Sequence, residues 1–361
     1  MACAAGKGTG MDRKAMIEGL MPKAAGDPAL MLRVAQLMRA DGQEARAMAM
    51  AAGILDPGMA ASPPVLAEAR RFVARTVPHW HFGLVRDRAR NRAYEAALRA
   101  MIRPGMRVLE IGTGTGLLAM MAARAGAAEV VTCESNAAVA DAARHVIAAN
   151  GFADRVRVVA KPSTALELGV DLDARADLLV SEIVSHDLLR EQVLPAHEDA
   201  VARLLAPGAS VIPGRGQVRV ALAELPSPRF GAEPFEGFDL SAFDPLLPPE
   251  RRLRSDDPDI ALRSGGETLF AFDFATAVPV PGATAEVACT ATGGRVTGIL
   301  QWIALDLAPG LRHENAPAPD APRSNWRLRF FEFPEPVDTR PGDHIVICGV
   351  HDRRRVDVWR A

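Results

Sequence analysis

Short apolar runs alternate with stretches of helical period through the middle of the chain. The apolar runs suit buried strands and lie at residues 108–111, 129–133, 156–160, 176–180 and 210–212. The helical period marks residues 117–125, 136–150 and 188–205, the last interrupted early by a proline. Strands that alternate with helices predict an α/β fold with a doubly wound, Rossmann-like parallel sheet.

The pattern before this sheet is helical. Residues 30–40 and 43–52 form two predicted helices joined by an Asp-Gly turn, and further helices are predicted at residues 65–77 and 84–101. The first pair resembles one tetratricopeptide-type hairpin, a unit that buries its apolar face only against another element. Two interpretations of this hairpin remain open: it caps the next domain, or it is a module that binds a partner.

The helical period ends at Pro213-Gly214. Apolar, β-rich runs separated by proline, glycine and aspartate follow at residues 217–224, 268–274, 283–290, 297–307, 326–333 and 344–350. They predict an antiparallel β domain, a barrel or a sandwich. Residues 226–263 form an irregular insertion that is too long for a plain loop, so it is either functional or an interaction element.

The length of 361 residues accommodates these parts. We expect an N-terminal helical segment at residues 1–62, an α/β domain at residues 63–214 and a β domain at residues 215–361 that carries the insertion.

Composition excludes several classes of protein. The net charge of −2 provides no basic field for nucleic acid or an anionic membrane, and no apolar run reaches the length of a membrane span. The four cysteines are far apart and form no C-x-x-C pair, which predicts neither a metal site nor a disulfide framework. The N-terminus lacks the apolar core of a signal peptide, so a cytoplasmic protein is expected.

The chemistry of the chain is organised around residues 107–134. A predicted strand is followed at once by Gly112, Gly114 and Gly116, then by a helix and a second strand that ends on Glu134. Glycines let the backbone approach a ligand, and an acid at the next strand tip accepts both ribose hydroxyls. A simple strand-to-helix turn is the alternative. The strand, helix and acid together favour a nucleoside-bearing cofactor.

A second pair of acids lies further along the chain. The strand run Asp177-Leu-Leu-Val-Ser-Glu182 ends in an acid at the carboxyl edge of the sheet, and Glu191 follows nine residues later. If the intervening segment folds back, the two carboxylates can grip a planar cation by paired, charge-assisted hydrogen bonds. Spacing alone favours the alternative, a Glu191 that faces solvent on a helix.

Three stretches together resemble protein arginine methyltransferases, over roughly residues 78–360. VLEIGTGTGLLAMMAARAGA resembles the cofactor loop of that family, and SEIVSHDLLRE resembles its hairpin of two glutamates. The block from VIPGRGQVRVALAE through GFDLSAFD to LFAFDFATA resembles the passage from the methyltransferase core into a β-barrel. The segments VPHWHF, RDRARNRAYEAALRA and KPST are most similar to the divergent branch with duplicated cores.

This resemblance implies a cofactor, S-adenosyl-L-methionine, and a role for each matching residue. The implied cofactor-binding residues are Arg90, Gly112, Gly114, Glu134 and Ser163. Glu182 and Glu191 are implied as the catalytic pair that binds the substrate guanidinium, with Trp326 as a further substrate contact. The implied partners are an arginine-containing protein substrate and a second copy of the chain, because the insertion at residues 226–263 matches a dimerisation arm.

The chain also departs from the family pattern. Ser324, Asn325 and Trp326 stand where the family has Thr-His-Trp, and the family histidine pairs with an acid at the position of Asp87. The N-terminal tyrosine pair is absent, since Tyr94 is the only tyrosine. Two alternatives therefore stay open: a methyltransferase that acts on a small molecule or another side chain, and a weakly catalytic interaction scaffold.

Overall fold

The structure is a computed structural model that describes residues 13–75, 77, 80–230 and 234–361. It begins with four helices: α1 (Arg13–Ala24), α2 (Pro28–Ala40), α3 (Glu44–Gly53) and α4 (Pro63–Ala74). They share an apolar cluster that includes Ile17, Val34 and Phe72, joined by Ala138 of a later helix. The helical segment thus packs against that later helix of the α/β part. This agrees with the expectation that its hairpin buries its apolar face against another element. No helix among the described residues is long and apolar enough to span a membrane.

The helix predicted at residues 84–101 is two helices, α5 (Trp80–Arg86) and α6 (Arg88–Met101). Asp87 separates them because its backbone leaves the helical region and its carboxylate caps α6, accepting a hydrogen bond from the Arg90 N–H at 3.0 Å. An aspartate at this position competes with helix continuation by bonding the free N–H groups of the next turn.

Five parallel strands form the central sheet, in the order β3-β2-β1-β4-β5. They are β1 (Arg107–Ile111), β2 (Glu129–Cys133), β3 (Val156–Val159), β4 (Ala176–Ser181) and β5 (Leu205–Ile212), with helices α7 (Leu117–Arg124), α8 (Ala137–Ala149) and α9 (Val193–Arg203) between them. The predicted doubly wound fold is confirmed. The strand order reverses between β1 and β4, which opens a crevice at their carboxyl ends.

The predicted helix at residues 188–205 begins later, at Val193. The preceding segment is a tight hairpin in which Leu188 and Gln192 adopt left-handed backbone angles, with φ of 76° and 61°. A helix excludes such angles, so Glu191 lies in a turn and not on a solvent-facing helix.

The C-terminal part is an antiparallel sheet in the order β13-β12-β10-β6-β8, with β7, β9 and β11 paired alongside. Its strands are β6 (Arg215–Glu224), β7 (Arg251–Leu253), β8 (Ala261–Leu262), β9 (Glu267–Asp273), β10 (Ala283–Ala308), β11 (Leu311–Glu314), β12 (Leu328–His351) and β13 (Val356–Arg360). The runs predicted as four separate strands pair up into the long strands β10 and β12, which bend at register shifts. The closed barrel stays a prediction.

One hydrophobic core runs from the parallel sheet into the antiparallel sheet. It includes Leu109 and Leu179 of the first sheet and Ile299 and Ile347 of the second. Because both sheets share buried side chains, the loops between them are held on a common framework. The division into three domains at residues 62/63 and 214/215 stays a prediction.

Candidate active site

A cavity of about 570 Å³ opens at the carboxyl ends of β1, β2 and β4. Seven of the eight residues predicted for the site line it: Arg90, Gly112, Gly114, Glu134, Ser163, Glu182 and Glu191. Those that follow strands of the sheet meet because parallel strands present their carboxyl ends at one edge, and Arg90 reaches the same cavity from α6. Trp326 is the exception and does not line the cavity.

The glycine loop is shaped by positive backbone angles and by Glu134. Gly112 has a φ of 91°, and a side chain there would lie 2.8 Å from Ile183 of the glutamate hairpin. The Glu134 carboxylate accepts hydrogen bonds from the N–H groups of Gly114 at 3.2 Å and Asn136 at 2.9 Å. The acid at the tip of β2 therefore fixes the loop and still presents lone pairs to the cavity.

The structure adds a cavity residue that the sequence prediction did not assign, Glu110. It is 1% exposed, and its Oε2 accepts a hydrogen bond from the Thr132 hydroxyl at 2.6 Å. Its Oε1 is buried without a hydrogen-bond partner among the described residues. Burial raises the pKa of Glu110 to about 8, and the Thr132 bond partly offsets that rise. The signal in the sequence was an acid at the end of an otherwise apolar strand.

Arg90 and Glu182 form a buried ion pair, with Nη2 and Oε2 3.0 Å apart. The Arg90 guanidinium also lies over the Tyr94 ring, 5.0 Å from its centroid. Arg90 Nε and Glu182 Oε1 have no hydrogen-bond partner among the described residues. A buried cation and anion that each keep an unused polar atom provide a donor and an acceptor for a bound ligand.

The second glutamate of the hairpin faces the same cavity. Burial raises the pKa of Glu182 to about 7, against the opposing effect of Arg90. Glu191 as a whole is exposed, but the cavity wall shields its carboxylate from water, which raises its pKa. The negative charges of Glu182 and Asp187 raise that pKa further. Two carboxylates held near each other favour a cationic ligand between them.

The loop at residues 324–327 fastens the hairpin to α6. The Trp326 indole donates to the carbonyl of Val184 at 3.1 Å, and its interaction with Glu182 lowers the pKa of that carboxyl. On the other side, Asp87 accepts hydrogen bonds from the Asn325 N–H at 2.9 Å and the Ser324 hydroxyl at 3.2 Å. Trp326 is thus a buried support of the hairpin.

Asn325 also packs closely against α5. A side chain at Gly83 would lie 2.1 Å from the Asn325 carboxamide oxygen. The carboxamide therefore occupies space that only glycine leaves open. Asn325 contacts Asp87 through its backbone, so the acid keeps a structural partner although the family histidine is missing.

The cofactor-domain part of the chain matches the family model "Ribosomal protein L11 methyltransferase (PrmA)" over residues 95–212. This region contains all five strands of the parallel sheet. It is less than half of the chain.

Similarity to curated proteins extends further. An "Arginine N(omega)-methyltransferase" from Streptomyces achromogenes subsp. streptozoticus is 36% identical over 318 residues, which is 87% of each chain. "Protein arginine N-methyltransferase 7" from Drosophila grimshawi is 45% identical over 138 residues, 37% of this chain and 20% of the relative. The same enzyme from Oryza sativa subsp. indica is 43% identical over 40% of this chain and 21% of the relative. The chain thus matches only about a fifth of these two longer proteins.

Two solved structures share the fold. The Trypanosoma brucei PRMT1 enzyme-prozyme heterotetrameric complex with AdoHcy superposes with a TM-score of 0.65 at 23% identity, covering 78% of this chain and 91% of that one. Arabidopsis thaliana protein arginine methyltransferase 10 gives a TM-score of 0.61 at 19% identity, covering 77% and 95%. At this level of identity the likeness supports the arrangement of the two sheets.

Proposed function

This chain belongs to the arginine N-methyltransferase family, and we propose that it transfers a methyl group from S-adenosyl-L-methionine to a guanidinium nitrogen of a protein arginine. The observation that carries the proposal is that Glu182 and Glu191 line the same cavity as the glycine loop and Glu134. A donor site and a cation site are thereby joined at one edge of the sheet. The interaction scaffold left open by the sequence is not needed to account for this arrangement.

The polar atoms of the cavity fit the cofactor. Arg90 Nε–H and Glu110 Oε1 have no hydrogen-bond partner among the residues that the structure describes, so the first can donate to a carboxylate and the second can accept from an ammonium group. Glu134 is placed to accept ribose hydroxyls, and Ser163 lines the wall where the adenine would lie. When bound, S-adenosyl-L-methionine supplies a methyl group already activated on a sulfonium.

The glutamate pair fits the acceptor. A guanidinium is protonated at all ordinary pH values and its nitrogen lone pairs are delocalised, so it is a poor nucleophile. Glu182 uses Oε2 on Arg90, and its Oε1 has no hydrogen-bond partner within the described part of the chain, which leaves one oxygen to accept from the substrate. Together with Glu191, this oxygen orients the cation and draws its charge away from the attacking nitrogen. Positioning of this kind supplies a large part of a rate enhancement.

Methyl transfer is expected to rise with pH because only ionised carboxylates grip a guanidinium. With a pKa of about 7 for Glu182 and about 8 for Glu191, kcat/KM should increase by at least about tenfold between about pH 6 and pH 8 and should still be rising at pH 8. The stability of the unliganded protein should change in the opposite direction. A carboxyl whose folded pKa is raised stabilises the fold below its ordinary pKa of 4.5 and loses that contribution as pH rises through about 7.

The pH prediction is checked by measuring kcat/KM at constant ionic strength, since this parameter reports the free enzyme. Thermal melting of the unliganded protein over the same range tests the opposite trend. A kcat/KM that is flat across this range would contradict the role given to the pair.

A second candidate acceptor is free arginine or another small guanidine. The relative that matches 87% of both chains is named for arginine without reference to a protein, and Asn325 replaces the family histidine. The two acceptors are compared directly by incubating the enzyme with labelled cofactor and either an arginine-containing peptide or free arginine. Transfer to the peptide with the higher kcat/KM supports the protein acceptor, whereas transfer to free arginine alone replaces it.

We also propose a homodimer formed through the insertion at residues 226–263. The insertion exposes a patch of large apolar side chains, Phe235, Phe238, Phe243 and Leu246, which are 49%, 69%, 60% and 73% exposed. Large apolar side chains left exposed together in one segment are typical of interaction surfaces.

Light scattering of the wild-type protein should give the mass of two chains. The double substitution Phe238→Ser and Leu246→Ser should give the mass of one, because it removes apolar area from the patch. The matched control Val278→Ser removes an apolar side chain that is 71% exposed outside the patch and should stay dimeric. A monomeric wild type would refute the dimer.

We propose a cytoplasmic location because the described cysteines form no disulfide bond. Cys133, Cys289 and Cys348 are buried and free. Unpaired thiols are typical of a reducing compartment.

A further inference from the structure

Arg329, on β12, is a charged residue buried almost completely, with a side-chain exposure of 2%. Its Nε donates to Glu250 Oε2 at 2.7 Å, and its Nη2 donates to the same oxygen. Its Nη1 donates to Gln301 Oε1 at 2.6 Å and to the carbonyl of Val356 at 2.9 Å. The guanidinium also lies over the Phe331 ring, 4.7 Å from its centroid. Removing a guanidinium from water is unfavourable unless hydrogen bonds and opposite charges offset the lost hydration. The partners of Arg329 therefore indicate which parts of the structure it stabilises.

Two routes lead from Arg329 to the glutamate hairpin. The first is electrostatic, since Arg329 Nη1 lies 3.9 Å from Oδ2 of the buried Asp187. The second passes through Gln301, which accepts from Arg329 and donates through Nε2 to the carbonyl of His186 at 3.2 Å. Asp187 and His186 are both inside the segment that joins Glu182 to Glu191.

Asp187 is the internal anchor of that segment. Its Oδ1 accepts from the Ser185 hydroxyl at 2.5 Å and from the N–H groups of Leu189 and Arg190, each at 3.3 Å. Its Oδ2 accepts from Arg190 Nε at 2.7 Å. The Asp187 carboxylate therefore stabilises the turn. Arg329, the cation beside it, is itself held by Glu250 and Gln301.

The hairpin needs such support because its backbone is strained. Leu188 and Gln192 have positive φ angles, and neither is a glycine. Conformations of this kind cost energy and persist only where the surroundings fix them. Gln192 directly follows Glu191, so relaxation of the turn would move the second carboxylate of the site.

Arg329 also connects the hairpin to the insertion. Glu250 lies in the insertion, directly before β7, and β7 pairs with β12 at Arg329 itself. Arg190 of the hairpin approaches the same Glu250 carboxylate at 3.9 Å. The insertion and the hairpin thus share one cluster of charges, in which Arg329 is buried, Glu250 is partly buried and Arg190 is exposed.

We propose that Arg329 is a positioning residue of the acceptor site, which holds residues 183–192 in the geometry that aligns Glu191 with Glu182 and ties them to the insertion. The inference rests on the proposed function for its effect on catalysis, but its effect on the hairpin stands without it. Lysine is a poor substitute because an ammonium group lacks the planar fork that reaches Glu250, Gln301 and Val356 together.

The test compares Arg329→Met, Arg329→Lys and Glu250→Gln with the wild-type protein. Hydrogen exchange followed by mass spectrometry should show amides of residues 183–192 exchanging at least about tenfold faster in Arg329→Met, with the glycine loop unchanged. The acceptor KM should rise about tenfold or more, while the affinity for S-adenosylhomocysteine stays within about twofold. Arg329→Lys and Glu250→Gln should also speed up amide exchange of residues 183–192 and raise the acceptor KM, but by smaller factors.

Arg263→Met is the matched control. Arg263 pairs with Glu224 at the other end of the insertion, so its loss should leave both hairpin exchange and acceptor KM unchanged. If Arg329→Met fails to fold, the other two variants carry the same readouts. Unaltered hairpin exchange and KM in folded Arg329 and Glu250 variants would overturn the proposal. A wild-type enzyme that methylates no arginine would instead overturn the proposed function, and the exchange measurement would still decide the role of Arg329.

Discussion

Replacing Glu191 by glutamine is expected to lower methyl transfer to arginine by about a thousandfold, the loss typical when a group that stabilises developing charge is removed. The substitution keeps the shape of the side chain and removes only the negative charge. Glu191 has no ion-pair partner among the described residues, unlike Glu182, which is paired with Arg90. The loss can therefore be attributed to the acceptor and not to rearrangement of the cofactor site.

Glu182→Gln should cause a loss of similar size but should also weaken cofactor binding, because Arg90 loses its buried partner. The measurement is single-turnover methyl transfer, with calorimetry of S-adenosylhomocysteine binding for each variant. Glu335→Gln, an exposed acid on β12, is the control and should keep full transfer. If Glu182→Gln and Glu191→Gln both transfer methyl normally, the guanidinium role of the pair is wrong.

Replacing Glu134 by alanine should weaken S-adenosylhomocysteine binding by roughly 30- to 100-fold, which corresponds to the loss of one to two hydrogen bonds to a charged group. Glu134 is expected to contribute twice, because it is proposed to accept ribose hydroxyls and its carboxylate accepts a hydrogen bond from the Gly114 N–H at 3.2 Å. Its removal should therefore affect both the contact and the shape of the cavity.

Calorimetry checks this second prediction, with Glu129→Ala as the matched control. Glu129 is at the opposite end of the same strand, β2, outside the cavity lining. Its substitution should leave affinity within about twofold. Equal affinity in wild type and Glu134→Ala would refute the role of Glu134.

The parallel sheet could be predicted from sequence because its signals are local. Strand and helix periods, together with the glycines after β1, specify each element from neighbouring residues. The carboxyl ends of parallel strands then bring Gly112, Glu134 and Glu182 together by topology alone, and all three line one cavity.

The remainder depends on contacts between distant residues. The turn that carries Glu191 has left-handed angles that its own side chains do not favour, so spacing wrongly favoured a helix. The continuity of β10 and β12 is set by pairing across the sheet, where glycine and proline interrupt the apolar runs without ending the strands.

The burial of individual polar residues could not be predicted either, because it also depends on contacts between distant residues. Arg329 looks like an ordinary charged position in the sequence, and Glu110 is marked only by the apolar strand around it; the burial of both follows from packing between elements. The hydrogen bond of the Trp326 indole to the carbonyl of Val184 is likewise visible only in the structure, and the substrate contact of Trp326 stays a prediction.

The central claim is that the methyl group reaches a guanidinium nitrogen. The most direct measurement is fragmentation mass spectrometry of an arginine-containing peptide after reaction with a methyl-labelled cofactor. The labelled methyl is expected on a terminal guanidinium nitrogen, and the label should be absent from the product of Glu191→Gln. A label on any other atom of the peptide, or an unlabelled peptide while another class of molecule is methylated, would contradict the account.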